Sequence, residues 1–208
     1  MNNENRKIIF LFPLLIYLIS ALVGCTSSQE RRILVVHSYE ETYAAYPEFN
    51  RLIAKQFKKE GVNADIRTLY LDCESYKEET ELKRMRYLLD SVSGDWRPEV
   101  ILVNEDQATY SLLKCGDPLV KEVPVVFAGV NYPNWELLKQ YPNATGFHDK
   151  IGFVQNAEMA RKLFGDSVRL FTLLDSTFLD VQIRKDARKQ LAGHRVTGFM
   201  DYPDIPSV

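Results

Sequence analysis

The chain has 208 residues, 46% of them apolar and 12% aromatic, with a formal charge of −2. That is enough apolar side chain for one large or two small cores, and the balance excludes a nucleic-acid binder, which needs clustered positive charge. Three cysteines and three scattered histidines (His37, His148 and His194) leave no set spaced to hold a metal.

In chain order, the first feature is a leader. Arg6 and Lys7 precede the apolar run 8–23, and Gly24-Cys25 follows it. A basic start, a short apolar stretch and small residues at a cleavage point make a secretory signal over 1–24. As a helix the run would reach about 24 Å at ~1.5 Å per residue, short of a hydrocarbon core roughly 30 Å thick. Leu22-Val23-Gly24-Cys25 resembles the lipobox of bacterial lipoproteins, which implies a lipidated Cys25 with 25–31 as a polar tether. The alternative is an uncleaved signal anchor. Either way the remainder is expected outside the cytoplasm and held at a membrane. Removing the leader takes Glu4, Arg6 and Lys7 with it and moves the formal charge from −2 to −3.

From Arg32 onward strands and helices alternate. "ILVV" (33–36) is a continuous apolar strand. Phe49, Leu52, Ile53 and Phe57 then recur at helical spacing after Pro47, and Gly61 ends that helix. "ADIRTLYL" (64–71) is the second strand, closed by Asp72. Leu82, Met85, Leu89 and Val92 stripe a second helix that stops near Gly94. "EVILVN" (99–104), the helix "EDQATYSLLKC" (105–115) and the strand "VPVVFAGV" (123–130) come next, then a turn over 134–141 and a brief strand at 144–147. Continuous apolar strands separated by helices imply a parallel sheet covered on both faces. Residues 32–147 are therefore expected to form a doubly wound α/β lobe.

The pattern restarts at 148. Phe153, Ala157, Ala160 and Phe164 mark a helix, 168–174 a strand, 179–191 a helix buried through Ile183, Ala187 and Leu191, and 194–200 a strand. This is too little for a lobe matching the first. The reading favoured here is an incomplete second α/β lobe over 148–208; the plainer one extends the first sheet. The basic run Arg184, Lys185, Arg188 and Lys189 is expected to be a solvated helix face. Asn143-Ala144-Thr145 matches a glycosylation sequon by coincidence. Cys115 shares a helical face with Ala108 and Leu112 and is expected in the core. A Cys73–Cys115 disulfide is permitted by the compartment but supported by no spacing rule.

Polar groups gather at the strand ends. The first strand finishes in His37, Ser38 and Tyr39, the second in Asp72, the third in Asn104, Glu105, Asp106 and Gln107, and the fourth in Gly129, Asn131 and Asn134. The strand over 168–174 runs into Asp175, Ser176 and Thr177. Open α/β sheets bind ligands beyond the carboxyl ends of their strands, so one rim of small, amide, hydroxyl and carboxylate groups is expected there. Tyr39, Tyr43 and Tyr46 can add flat apolar contact, while Asp106 and Ser176 are equally placed to cap helices. No G-x-S-x-G elbow, phosphate loop or G-x-G-x-x-G fingerprint is present. Adjacent Ser38 and His37 on an extended segment point in opposite directions and make no triad.

"ILVVHSYEETYAAYPEFNRLI", "YLD", "PEVILVNEDQATYSLL", "VPVVFAGVNYPN" and "NATGF" resemble, in order and spacing, the ABC-transporter substrate-binding-protein-like extracellular domain. That domain occurs in bacterial sensor histidine kinases and related solute-binding lipoproteins. The resemblance covers about 32–193 and implies a periplasmic-binding-protein-like fold, two lobes around a cleft that closes on a small polar organic ligand. It implies ligand-binding roles for His37, Ser38, Tyr39, Asp106, Gln107, Gly129, Val130 and Asn131, and for Asp175 and Thr177 from the second lobe. No catalytic residue, cofactor or metal is expected. The expected function is the sensing domain of a two-component sensor histidine kinase. The alternatives are the solute-binding lipoprotein of an ABC transporter, a truncated fragment without independent activity, and an exported hydrolase. Expected partners are the ligand, the membrane, and a kinase or an ABC permease.

Overall fold

The structure, a computed structural model, describes residues 29–166, 168, 174 and 178–194. β1 (Arg31–His37), β2 (Ala64–Tyr70), β3 (Val100–Asn104), β4 (Val125–Val130) and β5 (Ala144–His148) form one sheet in the order β2-β1-β3-β4-β5, every pair parallel. The interior strand β1 is buried from Ile33 to His37, which is why its sequence is continuously apolar rather than alternating.

α1 (Tyr46–Lys59) joins β1 to β2. It starts with a proline in its first turn and ends in Lys58 and Lys59, which suit the negative end of the helix dipole. α2 (Glu78–Ser93) joins β2 to β3, and α3 (Asp106–Lys114) with the short α4 (Leu119–Glu122) joins β3 to β4. The chain leaves β1 in one direction to make β2, then crosses back to make β3 on the other side of β1. That reversal is the switch point of a doubly wound sheet. Leu34, Val36, Met85, Leu89, Ile101, Val103, Leu112, Val125 and Phe127 form the core between the sheet and α2 and α3.

Two helix stripes differ from expectation. In α1, Leu52 is 48% exposed; the face turned to the sheet carries buried Tyr46 with half-buried Phe49, Ile53 and Phe57. In α2 the inward line runs through Glu81, Met85, Leu89 and Val92, so Leu82, one residue round the helix, is only half-buried. Glu81 is 7% exposed, and its carboxyl accepts a hydrogen bond from the Ser111 hydroxyl of α3. Burial pushes this carboxyl above the usual range. A 3-10 turn at Cys73–Ser75 and α4 are further elements that the apolar pattern does not signal. Cys73 and Cys115 are free thiols, with Cys115 in the core as expected. The Asn143 amide donates to the carbonyls of Val120 and Val123, so the sequon asparagine is tied into the fold.

α5 (Trp135–Leu138) precedes β5, and α6 (Phe153–Phe164) and α7 (Phe178–Gln190) follow it. Ala157 and Ala187 are buried, whereas Phe164, expected on the buried stripe, is 74% exposed at the last turn of α6. Gln190 of α7 donates to the Ile151 carbonyl at 3.0 Å. The expected strand over 168–174 falls almost wholly outside the described residues, as do the leader with Cys25 and most of the strand over 194–200. Among the described residues no helix is long and apolar enough to cross a membrane.

Candidate functional site

Register places the strand ends in one row. His37 is level with Tyr70 of β2 and Asn104 of β3, and Asn104 is level with Ala128 of β4. The residues that follow therefore emerge side by side at the switch point. Ser38, at the end of β1, donates to the Asn104 carbonyl at 3.0 Å and accepts from the Ala108 amide at 2.9 Å. A serine from another strand thus supplies the cap that α3 lacks from its own preceding residue.

Asp106 opens α3 and is 2% exposed. One carboxylate oxygen accepts from the backbone and side-chain amides of Asn131, at 2.9 and 3.2 Å. The other accepts from the Tyr132 amide at 3.1 Å and lies 3.2 Å from the Tyr110 hydroxyl. Asp106 therefore holds the loop after β4 against the start of α3, and Asn131 is the group it presents. Tyr132 in turn donates to Asp186 of α7 at 3.3 Å, which links the first lobe to the segment beyond 148.

An aromatic series lines the β1 side. His37 stacks on Tyr46 at 3.9 Å and on Tyr70 at 5.5 Å; Tyr39 stacks on Tyr43 at 4.7 Å; and Tyr43 meets Tyr46 at 4.9 Å. His37 Nε2 faces Asn50 Oδ1 at 2.8 Å. Because that oxygen only accepts, Nε2 carries the proton and Nδ1 is a bare acceptor. Nδ1 is buried with no hydrogen-bond partner, as is Gln107 Oε1. Burial holds His37 below its ordinary value of 6.5 and hence neutral.

Glu105 joins the two sides. Its φ and ψ of 73° and 171° fall in a region that is essentially glycine's own. Its carboxylate accepts from the Tyr46 hydroxyl at 2.9 Å, and that hydroxyl accepts from the Tyr39 amide at 3.0 Å. Burial raises the Glu105 carboxyl above the usual range, with the Asp106 charge adding to the effect. Gly129, at φ +68°, passes so close that a Cβ there would lie 3.2 Å from the Asn104 side-chain oxygen and 3.5 Å from Glu105 Cγ.

The structure brings together His37, Ser38, Tyr39, Asp106, Gln107, Gly129, Val130 and Asn131. It divides them by exposure: His37, Ser38 and Val130 are each at 0%, while Tyr39, Gln107, Gly129 and Asn131 are half-buried. Asp175 and Thr177 lie outside the described residues. Glu105 and Tyr132 belong to the same rim and were not among the expected ligand contacts; Tyr43, expected only as a flat apolar surface, belongs there too. Glu105 and Tyr43 stood in the quoted strand-end stretches, but nothing in residue order signalled the backbone twist at Glu105. Ser38 and His37 bond to different partners, so the geometry offers no serine–histidine pair. A shallow hollow lined by Ala54, Phe57, Gly61 and Ile66 opens at the opposite rim, near the amino end of β2.

No protein-family model matches the chain, and no curated protein matches it. Solved structures do. A conserved domain protein from Vibrio cholerae O1 biovar El Tor has a TM-score of 0.65 at 15% identity, over 84% of this chain and 57% of that one. The ABC domain in complex with L-Trp from Streptococcus pneumoniae gives 0.61 at 16% identity, over 83% and 56%. An ABC-transporter solute-binding protein from Rhodopseudomonas palustris in complex with 4-hydroxybenzoate gives 0.54 at 11% identity, over 84% and 47%. At such identities the likeness shows the fold, which is periplasmic-binding-protein-like. The chain spans roughly half the length of these structures.

Proposed function

We propose that this chain is an extracytoplasmic module that binds a small organic ligand at the carboxyl ends of β1, β3 and β4. The observation that carries the reading is the grip of Asp106 on Asn131 and Tyr132 beside the Tyr39–Tyr43–Tyr46 series. It spends a buried carboxylate on holding a loop, and so sets half-buried amide, tyrosine and carboxylate groups at a sheet switch point. Neighbours of the same fold were solved with L-Trp and with 4-hydroxybenzoate, which supports a small organic ligand here. Closure of a second lobe over that ligand would be stabilised by its tighter binding to the closed state.

Two roles fit such a module. Likeness to ABC solute-binding proteins favours a solute receptor that serves a permease. The "HSYEETYAAY" stretch favours the input domain of a sensor histidine kinase, as in the resemblance drawn from sequence. Both place the module outside the membrane, anchored through Cys25 or its leader. Co-purification with a permease or with a kinase separates the two. The binding reading itself is tested by a thermal-shift screen of small metabolites on the full chain. A ligand that raises Tm and loses its effect on Asn131→Ala supports it; a screen without a hit, or a hit indifferent to Asn131→Ala, counts against it.

A further inference from the structure

The residues around the strand ends carry one sign of charge. Segments 37–46, 71–76, 104–107 and 129–134 contain Glu40, Glu41, Asp72, Glu74, Glu105 and Asp106 and not one Lys or Arg. Arg84 reaches this rim from α2, but its guanidinium is bonded to the carbonyls of Leu71 and Tyr70 and lies 5.1 Å from the Tyr76 ring centre. The Glu105 carboxylate forms no ion pair among the described residues. The groups that shift its titration are Tyr46, Ser38 and Asp106, none of them cationic. Burial is the largest influence on Tyr39, and the carboxylates acting on it are Glu105 and Glu74. α7, which meets the rim at Tyr132 through Asp186, also bears the cations Arg184, Lys185, Arg188 and Lys189; the groups that shift Glu105 and Tyr39 do not include them.

Hydrogen-bonding demand points the same way, independently of charge. His37 is wholly buried, yet its Nδ1 acceptor is unmet, and so is the side-chain oxygen of Gln107 in the first turn of α3. Two acceptors at these strand ends are thus left without a donor. Tyr39, half-buried, and Tyr43, 38% exposed, stack on each other and lie against Tyr46, whose hydroxyl bonds Glu105. Their ring faces attract cations and cover apolar groups.

Resting on the ligand-binding function proposed above, we infer that the ligand is an organic cation: a protonated amine whose N–H donors meet Glu105 and whose apolar body lies on Tyr39 and Tyr43. A ligand whose only charge is a carboxylate would instead meet Glu105 and Asp106 with like charge and no compensating base from these segments.

The test compares one scaffold in three charge states. Benzylamine, benzyl alcohol and benzoate are titrated at millimolar concentration into the purified full chain, with Tm and calorimetric binding recorded. Benzylamine should bind and raise Tm, and the other two should bind at least tenfold more weakly. Glu105→Gln should weaken benzylamine tenfold or more, since a charged hydrogen-bond partner is lost, and leave benzyl alcohol unchanged. Tyr43→Ala should weaken benzylamine, its Tm shift being read against the ligand-free Tm of the variant itself. Equal or tighter binding of benzoate or benzyl alcohol overturns the charge assignment and leaves the receptor reading standing. So does benzylamine binding that is indifferent to both substitutions. If neither these three compounds nor the metabolite screen gives any binding, the receptor reading falls, and this inference with it.

Discussion

At the scale of single residues the site is built from side chains placed at some cost. Glu105 occupies backbone space that costs a side chain on the order of 1–3 kcal/mol, and Asp106 is a nearly buried carboxylate held by a loop. Asp106→Ala should free Asn131 and Tyr132, lower stability by about 3 kcal/mol in urea melts and abolish ligand-induced Tm shifts. Glu81 gives a sharper test because its sign depends on pH. Its folded-state pKa is raised by burial, so the folded chain holds this proton more tightly than the unfolded one. The stabilisation is complete below the ordinary value of 4.5 and is lost as pH rises through the folded value. Glu81→Gln should therefore raise the urea midpoint at pH 7.5, and the gap between variant and wild type should close as pH falls towards 4.5. His37 acts oppositely. Its pKa is lowered, so its contribution is complete above 6.5 and fades as pH drops below it. Asp106 was legible in the sequence as a strand-end acid, but its grip on Asn131 depends on β3 and β4 lying side by side. Glu105 stood in the sequence only as one strand-end acid among several and Glu81 not at all, because periodicity carries neither φ nor the hydroxyl that α3 presents to α2.

At the scale of elements, the strands and long helices follow from apolar period and punctuation. "ILVV" is buried on both faces, Leu34 and Val36 in the core under α2 and α3 and Ile33 and Val35 on the other side of the sheet, and Gly61 ends α1 at a φ of +72°. What the period does not carry is the short pieces: Cys73–Ser75 and Leu119–Glu122 span too few residues to show one. Nor does it carry the cap that Ser38 lends to α3 from a strand 70 residues before Ala108. Ser38→Ala should cost about 1–2 kcal/mol and speed amide exchange at Ala108 more than in the middle of α1. β5 depends on a glycine for a different reason. A Cβ on Gly146 would stand 2.1 Å from the Phe127 carbonyl oxygen, so Gly146→Ala forces β5 away from β4. That should cost about 3 kcal/mol, at the upper end of single-substitution effects, with exchange rising along Ala144–His148.

At the scale of the whole molecule, strand alternation implied a doubly wound sheet, while the order β2-β1-β3-β4-β5 comes only from the structure. That order turns scattered polar strand ends into one rim, because His37, Asn104 and Ala128 stand in register across adjacent strands. The segment beyond 148 meets this lobe through the Tyr132–Asp186 hydrogen bond, while Gln190–Ile151 ties that segment to itself. Limited proteolysis should cut after 148 before it cuts the first lobe, and equal protection of both would contradict an incomplete second lobe. The account as a whole stands on where a ligand sits. Hydrogen exchange of the full chain, with and without a compound that raises its Tm, should slow exchange in 37–46, 104–108 and 129–134. Slowing confined instead to the hollow around Ala54, Gly61 and Ile66, with the strand-end segments unchanged, would contradict it.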